Sequence, residues 1–473
     1  MADPTDPAAP PGGAARTAQA PSALTRRRLL SLGAAGLAGG AASLLSGCAT
    51  PGTTSVNTQP TIPAAGEPVR LQYWAWLKDL QKVCDVWNAQ RPDIQVEAVW
   101  IPGGNSGGYQ KLFAASAAGG SPDLAQVEFR SIPEFMLVNA LVDLSRYGVD
   151  QYADRYNKAL WQQVSYVDGV YGIPQDSGPM ALYYRPDLLQ RVGAEPPATW
   201  DEWAELAAEV RKIGAYLDVF AVSDASGFCA YATQAGATWF AVDGDHWTVN
   251  MTDEATLNTA AFFDKAIDRG LVSTAFTLFS PPWYAAAANN QIAGAVTASW
   301  GDALIESVSG GAGKWKVAPM PLWQNGSQTT GYGSSFIGGS TAAVMADSKH
   351  PKEAMEFAVW MTTSRAGIDA MIANSGIGWS PTDSYIGATR QQPSEFFSGQ
   401  NYNEDVFVKM ATEQNPDWQW WPLTTQSFNI LADAFRRKGG SYTLVDAVRD
   451  AEGQIIEAFR NKGLSIERRG SSS

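Results

Sequence analysis

The stretch VRLQYWAW (residues 69–76) alternates apolar and polar side chains, as a β-strand with one buried face does. A helical pattern follows through Val83 and Trp87 and ends at Arg91-Pro92, because proline restricts the residue before it. The next predicted elements are a strand at 94–101, a helix at 109–118 and a strand at 123–127. Strands that alternate with helices favour a largely parallel sheet, so this region is predicted to be α/β.

The N-terminal 48 residues have the layout of an export signal. TRRRLL (25–30) supplies paired arginines typical of twin-arginine export, and an apolar run from Leu29 to Leu45 follows. A transmembrane anchor is the alternative, but it needs about 20 apolar residues and this run is short and rich in Gly and Ala. LSGC (45–48) resembles the lipobox of bacterial lipoproteins, which implies cleavage before Cys48 and a diacylglycerol on its thiol.

These features predict a removed signal peptide at 1–47 and a lipidated, flexible tether at 48–67 that is rich in Thr, Pro and Ala. The mature protein would then lie outside the cytoplasm, anchored by lipid to the cell membrane. The remaining 426 residues exceed the size at which single cores stop growing, about 250–300 residues, so two lobes are expected.

The composition disfavours two classes of function, nucleic-acid binding and catalysis by zinc or a triad. Removing 1–47 takes the formal net charge from −13 to −15, and an acidic chain without a basic block is a poor nucleic-acid binder. The chain has only two histidines but 18 tryptophans, which suits ligand binding better than zinc or triad chemistry. We therefore predict no cofactor, no metal and no enzymatic activity. Cys84 and Cys229 are expected to be buried free thiols, although an exported protein could bridge them.

An ordered set of short motifs spans about residues 68–465. The motifs are FAASAAGGSPDL (113–124), GIP (172–174) running into ALYY (181–184), AGAV (293–296) with Trp300-Gly301, GGS (338–340) followed by KHPKEA (349–354), and SPT (380–382). In this order they resemble extracellular solute-binding proteins of the carbohydrate type (family 1), the receptors of ATP-driven ABC importers. The resemblance implies a two-lobe periplasmic-binding-protein fold with the sugar held in the interlobe cleft.

The same resemblance implies the domain boundaries and partners. Lobe 1 would hold 68–175 and 336–379, and lobe 2 would hold 177–335 and 384–465, with hinge strands between them and a disordered tail at 466–473. The expected partners are a carbohydrate ligand and the importer's membrane subunits, and the protein is expected to act as a monomer. A receptor that feeds a sugar sensor would look much the same.

Several residues of the first lobe and the hinge are candidates for ligand contact. Trp76 ends the first strand with Lys78 just beyond it, although Trp76 could equally pack in the core. Glu128 and Arg130 occupy positions where the family uses charged side chains on sugar hydroxyls, with a surface ion pair as the alternative. A polar pair at the first crossing, Gln175 with Asp176, needs polar partners if buried, and a ligand would supply them.

Candidates in the second lobe and at the later crossings are mostly aromatic. We expect ligand contacts from Phe228, Trp239, Trp300, Asp302, Ser335, Trp379, Trp420 and Trp421. For Phe228 and Trp239, core packing explains the residues equally well. In DWQWWP (417–422), adjacent aromatics are not expected to face one core together, so Trp420 or Trp421 should line the cleft.

Two enzyme classes remain as alternatives. GNSGG (104–108) matches a nucleophile elbow between a strand and a helix, but a triad would need His246 or His350, both in predicted turns. A secreted glycoside hydrolase would also use tryptophans and paired carboxylates. Against it, the α/β stretches do not repeat eight times and the chain ends in helices.

Overall fold

The computed structural model of the protein describes residues 66–166, 169–244 and 246–469. The predicted signal peptide, Cys48 and the tether up to residue 65 lie outside these residues. The described strands are β1 Val69–Ala75, β2 Ile94–Trp100, β3 Leu124–Glu128, β4 Ser165–Tyr166, β5 Gly169–Val170, β6 Ile173–Pro174, β7 Met180–Tyr184, β8 Phe240–Asp243, β9 His246–Val249, β10 Gly294–Ala298, β11 Lys316–Ala318, β12 Trp323–Asn325, β13 Gln328–Thr330, β14 Ser340–Val344 and β15 Ile466–Arg468.

The helices come between these strands and after β14. In the described residues they are α1 Leu80–Gln90, α2 Gly108–Ala117, α3 Ile132–Leu137, α4 Lys158–Val164, α5 Pro186–Arg191, α6 Trp200–Lys212, α7 Ser226–Gln234, α8 Glu254–Asp268, α9 Pro281–Ala288, α10 Gly301–Glu306, α11 Pro351–Thr363, α12 Arg365–Ser375, α13 Val408–Thr412, α14 Thr424–Phe435 and α15 Leu444–Asn461. None of the described helices is both long and apolar enough to cross a bilayer.

The first lobe is built on a five-stranded sheet with the order β2-β1-β3-β14-β6. β1 pairs in parallel with β2 and β3, while β14 runs antiparallel to both β3 and β6. The predicted largely parallel sheet is therefore confirmed, with β14 as the exception. On β1, Leu71 and Tyr73 are buried, and the Tyr73 ring meets Phe357 of α11 edge-on at a centroid distance of 6.3 Å.

The second lobe contains an antiparallel sheet, β10-β7-β11, and a smaller sheet, β15-β9-β8. Its core is largely aromatic. Trp200, for example, stacks on Trp323 with centroids 5.0 Å apart, and Trp203 is fully buried. Eight described tryptophans are among the largest fully buried side chains of the molecule. Much of the tryptophan content therefore serves packing, which the composition alone does not reveal.

Three segments connect the two main sheets, and they pair with one another to form the hinge. Ser177 and Trp379 exchange two backbone hydrogen bonds, of 2.9 and 2.8 Å. The amide of Ile337 donates to the carbonyl of Gly178 at 3.1 Å. A Cβ atom at residue 178 would lie 2.1 Å from the carbonyl oxygen of Ile337, so only glycine lets these two segments approach so closely.

Local sequence signals account for several helix ends. The hydroxyl of Thr199 caps α6 by accepting from the Glu202 amide at 3.1 Å. At the start of α8 the cap is Asp253, whose carboxylate accepts from the Thr256 amide at 2.7 Å. The Thr252 hydroxyl donates to the buried Glu452.

The prediction of a disordered tail from residue 466 is wrong for its first three residues. Ile466–Arg468 forms β15, which pairs in parallel with β9, and the Ile466 side chain is buried. Arg468 also forms an ion pair with Glu452, with Nε and Oε1 2.7 Å apart. These contacts are far apart in sequence, so the local composition gives no sign of them.

Both described cysteines are buried free thiols, as expected. Cys84 lies on α1 and Cys229 on α7. Burial raises the pKa of the Cys84 thiol to about 12 and that of Cys229 still further. Neither is a reactive thiolate at neutral pH.

Candidate functional site

One edge of the first-lobe sheet gathers the residues that follow its strands. The parallel strands β1, β2 and β3 end there, and the antiparallel β14 begins there. Trp76 follows β1, Glu128 ends β3, and Gly338-Gly339 precede β14. Open α/β sheets bind ligands at this edge. We define the cleft as the space between this edge and the second-lobe residues that face it.

Tyr109 of α2 organises the first-lobe side of the cleft. Its hydroxyl donates to Oε2 of Glu128 and accepts from the Glu128 amide, both at 3.0 Å. Its ring meets Trp76 edge-on at 6.1 Å. A Cβ at residue 104 would lie 2.4 Å from the Tyr109 ring, so the absence of a side chain at Gly104 leaves room for that ring. Tyr109 thus brings two predicted site residues together, although the sequence analysis did not identify it.

Glu128 and Arg130 form a partly buried ion pair, with Nη2 and Oε1 3.0 Å apart and side-chain exposures of 19% and 27%. Burial acts to lower the pKa of Arg130, but Glu128, and more weakly Asp224 of the second lobe, raise it overall. The Nε atom of Arg130 is buried and has no hydrogen-bond partner among the described residues.

Trp300 lines a cavity of about 180 Å³ in the second lobe, next to the hinge. Its indole N–H donates to the carbonyl of Ile337 at 2.8 Å, and Phe279 meets its ring at 6.1 Å. Other lining residues include Asp218, Asp224, Ser226, Phe228 and Thr297. The Thr297 hydroxyl is buried without a described partner. An aromatic face beside an unpaired hydroxyl is the chemistry that a sugar ring with its hydroxyls requires.

A larger cavity, of about 780 Å³, lies elsewhere on the second lobe. It is a groove between α6, α8 and the hairpin β12–β13, with Phe262 and Trp323 in its wall. None of its lining residues comes from the first lobe or the hinge. We therefore place the candidate site at the smaller cavity, which second-lobe residues line together with Ile337 of the hinge.

The structure gives the polar pair Gln175 and Asp176 a different role from the predicted one. Oδ1 of Asp176 accepts from the amide and the hydroxyl of Ser340, both at 2.7 Å, and Oδ2 accepts from the Gly378 amide at 3.3 Å. The side-chain amide of Gln175 donates from Nε2 to the same Ser340 hydroxyl at 3.1 Å. The partners of Asp176 are the other two hinge segments, and those of Gln175 are Ser340 and the Tyr73 hydroxyl of β1. The prediction that a ligand satisfies these two side chains is therefore wrong.

Three further predicted site residues also belong to the hinge region. Trp379 is almost fully buried, and the Arg390 guanidinium lies over its ring at 5.5 Å. Asp302 accepts from the Tyr402 hydroxyl at 2.8 Å, and burial raises its pKa, opposed by Arg390. Ser335 is fully buried, and its carbonyl accepts from the Met180 amide. These residues hold hinge and second-lobe segments together, which corrects their assignment to ligand contact.

Trp239 and Trp421 are core residues. Both are fully buried, with centroids 5.9 Å apart. Trp421 stacks on Phe240 at 4.2 Å and donates to the Ser427 hydroxyl at 2.9 Å, while Trp239 donates to the Thr256 hydroxyl at 2.8 Å. Phe228 packs on Trp239 from one side and lines the cavity from the other. Core packing therefore explains Trp239, for which it was the stated alternative, and also Trp421, whose predicted contact with the ligand is wrong.

The cluster at 417–422 also differs from its prediction. Trp418, Trp420 and Trp421 are all buried, so adjacent aromatics do share one core here. They can do so because their rings are tilted or edge-on to one another, at 5.5 to 6.0 Å. Trp420 donates its N–H to Oε1 of Gln163 on α4, at 2.7 Å. It thus links two distant parts of the chain instead of offering a free face.

Lys78 is exposed in the loop between β1 and α1, beside the partly buried Trp76. Residues that the sequence analysis missed include Tyr109, Phe279, Thr297 and Asp218. A strand-to-helix loop with two glycines at 103–104 was a signal for Tyr109, since close backbone approaches need glycine. The other three carry no local signal, because the fold alone brings them to the cavity.

Asp218 should make stability depend on pH. Burial raises the pKa of Asp218 to about 7. Hydrogen bonds from the Val219 and Val296 amides and the Tyr231 hydroxyl act in the opposite direction and lower it. Its folded pKa lies above the unfolded value of about 3.9, so the folded state holds the proton more tightly. The resulting contribution of Asp218 to the free energy of unfolding is fully present at low pH and is lost as the pH rises towards 7. The total loss is as much as about 4 kcal/mol.

The measurement is the free energy of unfolding in urea between pH 5 and pH 7.5, for the wild type and Asp218→Asn. The wild type should lose stability relative to the variant as pH rises, because other carboxylates titrate equally in both. Parallel pH profiles would show that Asp218 does not titrate in this range.

The chain matches the family model described as "bacterial extracellular solute-binding protein" over residues 74–368. It is 22% identical to an arabinooligosaccharide-binding protein of Halalkalibacterium halodurans over 404 residues, which covers 79% of this chain and 84% of that protein. It is 29% identical to a lactose-binding protein of Rhizobium radiobacter over 238 residues, 49% of this chain and 54% of that protein.

Solved structures show the same architecture. The galacto-N-biose/lacto-N-biose I-binding protein of the ABC transporter from Bifidobacterium longum, in complex with lacto-N-biose, superposes with a TM-score of 0.74. It is 28% identical, and the alignment covers 85% of this chain and all of that one. The sugar-binding protein MalE of Xanthomonas citri gives a TM-score of 0.67 at 20% identity, with 83% and 98% covered. At that identity the likeness concerns the fold alone.

Proposed function

Because the chain belongs to the bacterial extracellular solute-binding protein family, we propose that it captures a carbohydrate in the cleft and delivers it to an ABC importer. The observation that carries the proposal is the Trp300 cavity, where an aromatic face lies beside the unpaired Thr297 hydroxyl. The relatives named above bind arabino-oligosaccharides, lactose and lacto-N-biose according to their names, which supports a saccharide as the ligand.

The proposed mechanism is closure of two lobes on one ligand. Trp76, Lys78, Glu128 and Arg130 would contact the sugar from the first lobe, and Trp300 from the second. Contacts from both lobes exist together only in the closed form, so ligand shifts the population towards it. The lobe boundaries are those predicted above, 68–175 with 336–379 and 177–335 with 384–465, except that β15 extends the second lobe to Arg468. The closed monomer would then dock on the importer's membrane subunits.

Three measurements on one saccharide library test this function. Thermal shift identifies ligands, since binding to the native state raises stability. Small-angle scattering with a saturating ligand should then give a smaller radius of gyration as the cleft closes. Chromatography of the same mixture should return the saccharide uncleaved. Hydrolysis would favour the glycosidase alternative, and an unchanged radius with a bound ligand would contradict closure.

We also propose that the protein is anchored to the membrane through Cys48. The expected result for Cys48→Ser is loss of lipidation, because the thiol is the acceptor of the diacylglycerol. The variant should appear as a soluble protein or as an uncleaved precursor when cell fractions are compared by immunoblot. A Cys84→Ser variant is the matched control and should remain anchored. Cys48→Ser that stays in the membrane after normal processing would contradict the lipoprotein assignment.

A further inference from the structure

We infer that the Asp218 carboxylate accepts a hydrogen bond from a hydroxyl of the bound saccharide, and that loading of the saccharide therefore releases a proton. The inference rests on the proposed function and adds to it a residue that determines specificity and a dependence of affinity on pH. None of the sequence-based predictions of site residues included Asp218.

Asp218 lines the same cavity of about 180 Å³ as Trp300. Its side chain is tied to β10, because Oδ2 accepts from the Val296 amide at 3.0 Å. The next residue of β10 is Thr297, whose hydroxyl is buried and has no hydrogen-bond partner among the described residues. A carboxylate, an unpaired hydroxyl and an indole ring thus share one cavity, which offers a sugar both an apolar face and polar partners.

The carboxylate of Asp218 is buried but keeps room for one more donor. Only 3% of the residue is exposed. Oδ1 accepts from the Val219 amide at 2.7 Å, and Oδ2 accepts from the Tyr231 hydroxyl at 3.3 Å as well as from the Val296 amide. An ionised carboxylate has about four acceptor sites, so these three donors leave one for a ligand hydroxyl.

No cation of the described chain forms an ion pair with Asp218, whose donors are two amides and a phenol. β10 and the cavity loop 273–279 carry no titratable side chain. A buried carboxylate without a cation is costly, and such groups in a cavity are candidates for a functional role. The titratable groups nearest to it on other elements are Tyr231 and Cys229 of α7 and Asp224, which lines the same cavity. The remaining charged side chains of the neighbouring helices have other surroundings: Asp264 and Asp268 pair with Lys438, Glu254 and Lys265 line the larger groove, and Arg211 lies over the Tyr216 ring.

These surroundings determine the direction of the proton exchange. Burial raises the pKa of Asp218 to about 7. Because the side chain is already almost wholly buried, a ligand adds little further desolvation. A hydroxyl that donates to the carboxylate favours the ionised form and lowers the pKa. The saccharide then binds the ionised form more tightly, so affinity rises with pH and levels off above neutral pH.

The test is calorimetric titration, between pH 5.5 and pH 8, with lacto-N-biose and with arabino-, galacto- and malto-oligosaccharides of one to five units. For a saccharide that binds, the wild-type affinity should rise about tenfold across this range, the difference between a neutral and a charge-assisted hydrogen bond. At pH 6.5 the apparent binding enthalpy should differ between phosphate and imidazole buffers in the direction of proton release. Asp218→Asn should bind about tenfold more weakly than the wild type at pH 8, with an affinity that does not change with pH.

The double variant His246→Gln and His350→Gln is the matched control. Histidine is the other side chain that ordinarily titrates in this range, and neither histidine lines the cavity. The control should therefore keep the wild-type affinity and its pH dependence.

Three outcomes would overturn the inference and leave the proposed function intact. They are a wild-type affinity that does not change with pH, proton uptake in place of release, and a pH dependence that survives in Asp218→Asn. The first two are read from the wild type, so they decide the question even if Asp218→Asn does not fold. A wild type that binds none of these saccharides at any pH would contradict the proposed function, and the inference would fall with it.

Discussion

Replacing Trp421 by alanine is expected to lower the free energy of unfolding by about 3–5 kcal/mol, the usual cost of truncating a large buried aromatic. The Trp421 side chain is fully buried and stacks on Phe240 with centroids 4.2 Å apart. Its N–H donates to the Ser427 hydroxyl at 2.9 Å, so the truncation also leaves that hydroxyl without its donor. The surrounding rings are part of one packed cluster and would collapse only partly into the cavity.

The measurement is urea unfolding followed by tryptophan fluorescence, together with calorimetric affinity under conditions where the variant is folded. Affinity should stay near the wild-type value, because the ring does not face the cleft. Trp421→Phe keeps an aromatic ring in place and should lose much less stability. If Trp421→Ala instead unfolds like the wild type and binds weakly, Trp421 is a ligand platform after all.

Trp300→Ala is expected to show the opposite pattern. Its ring lines the cavity of about 180 Å³ and is only partly buried, so truncation removes a ligand contact more than a core contact. By analogy with stacking of other rings on aromatics, the lost contact is worth about 1–3 kcal/mol. This corresponds to a fall in affinity of about 10-fold to 100-fold. The change in unfolding free energy should be well below that of Trp421→Ala.

Both variants should be measured with the tightest saccharide found by thermal shift, so that one experiment separates the two roles. Trp300→Phe keeps the ring but not the hydrogen bond to the Ile337 carbonyl, and its affinity should lie between those of the wild type and Trp300→Ala. Unchanged affinity in Trp300→Ala would show that the saccharide does not bind at this cavity.

The hinge shows why the role of a buried polar side chain is harder to predict than the position of a helix. The sequence indicates that Gln175 and Asp176 need polar partners. The partners are Ser340 and Gly378, which lie 164 and 202 residues further along the chain from Asp176. A sequence shows that a buried polar group must be satisfied, but not whether a ligand or a distant backbone segment satisfies it.

Features that depend on neighbours in the chain can be predicted from the amino-acid sequence. The alternation at 69–76 fixes β1, the hydroxyl of Thr199 fixes the start of α6, and Pro351 at the first turn begins α11. These follow from side-chain periodicity and capping, which act within a few residues. The ordered motifs add the family and the fold, and with them the region where Trp76, Glu128 and Trp300 lie.

Which aromatic rings face the cleft and which fill the core is visible only in the folded protein. Trp300 and Trp421 are both tryptophans beside loops, yet one lines a cavity and the other is enclosed by aromatic rings. The physical reason is that the burial of a ring depends on what packs against it, and here those groups come from segments far away in the sequence. Tyr109 and Thr297 likewise acquire their roles only through strand order and the packing of distant segments.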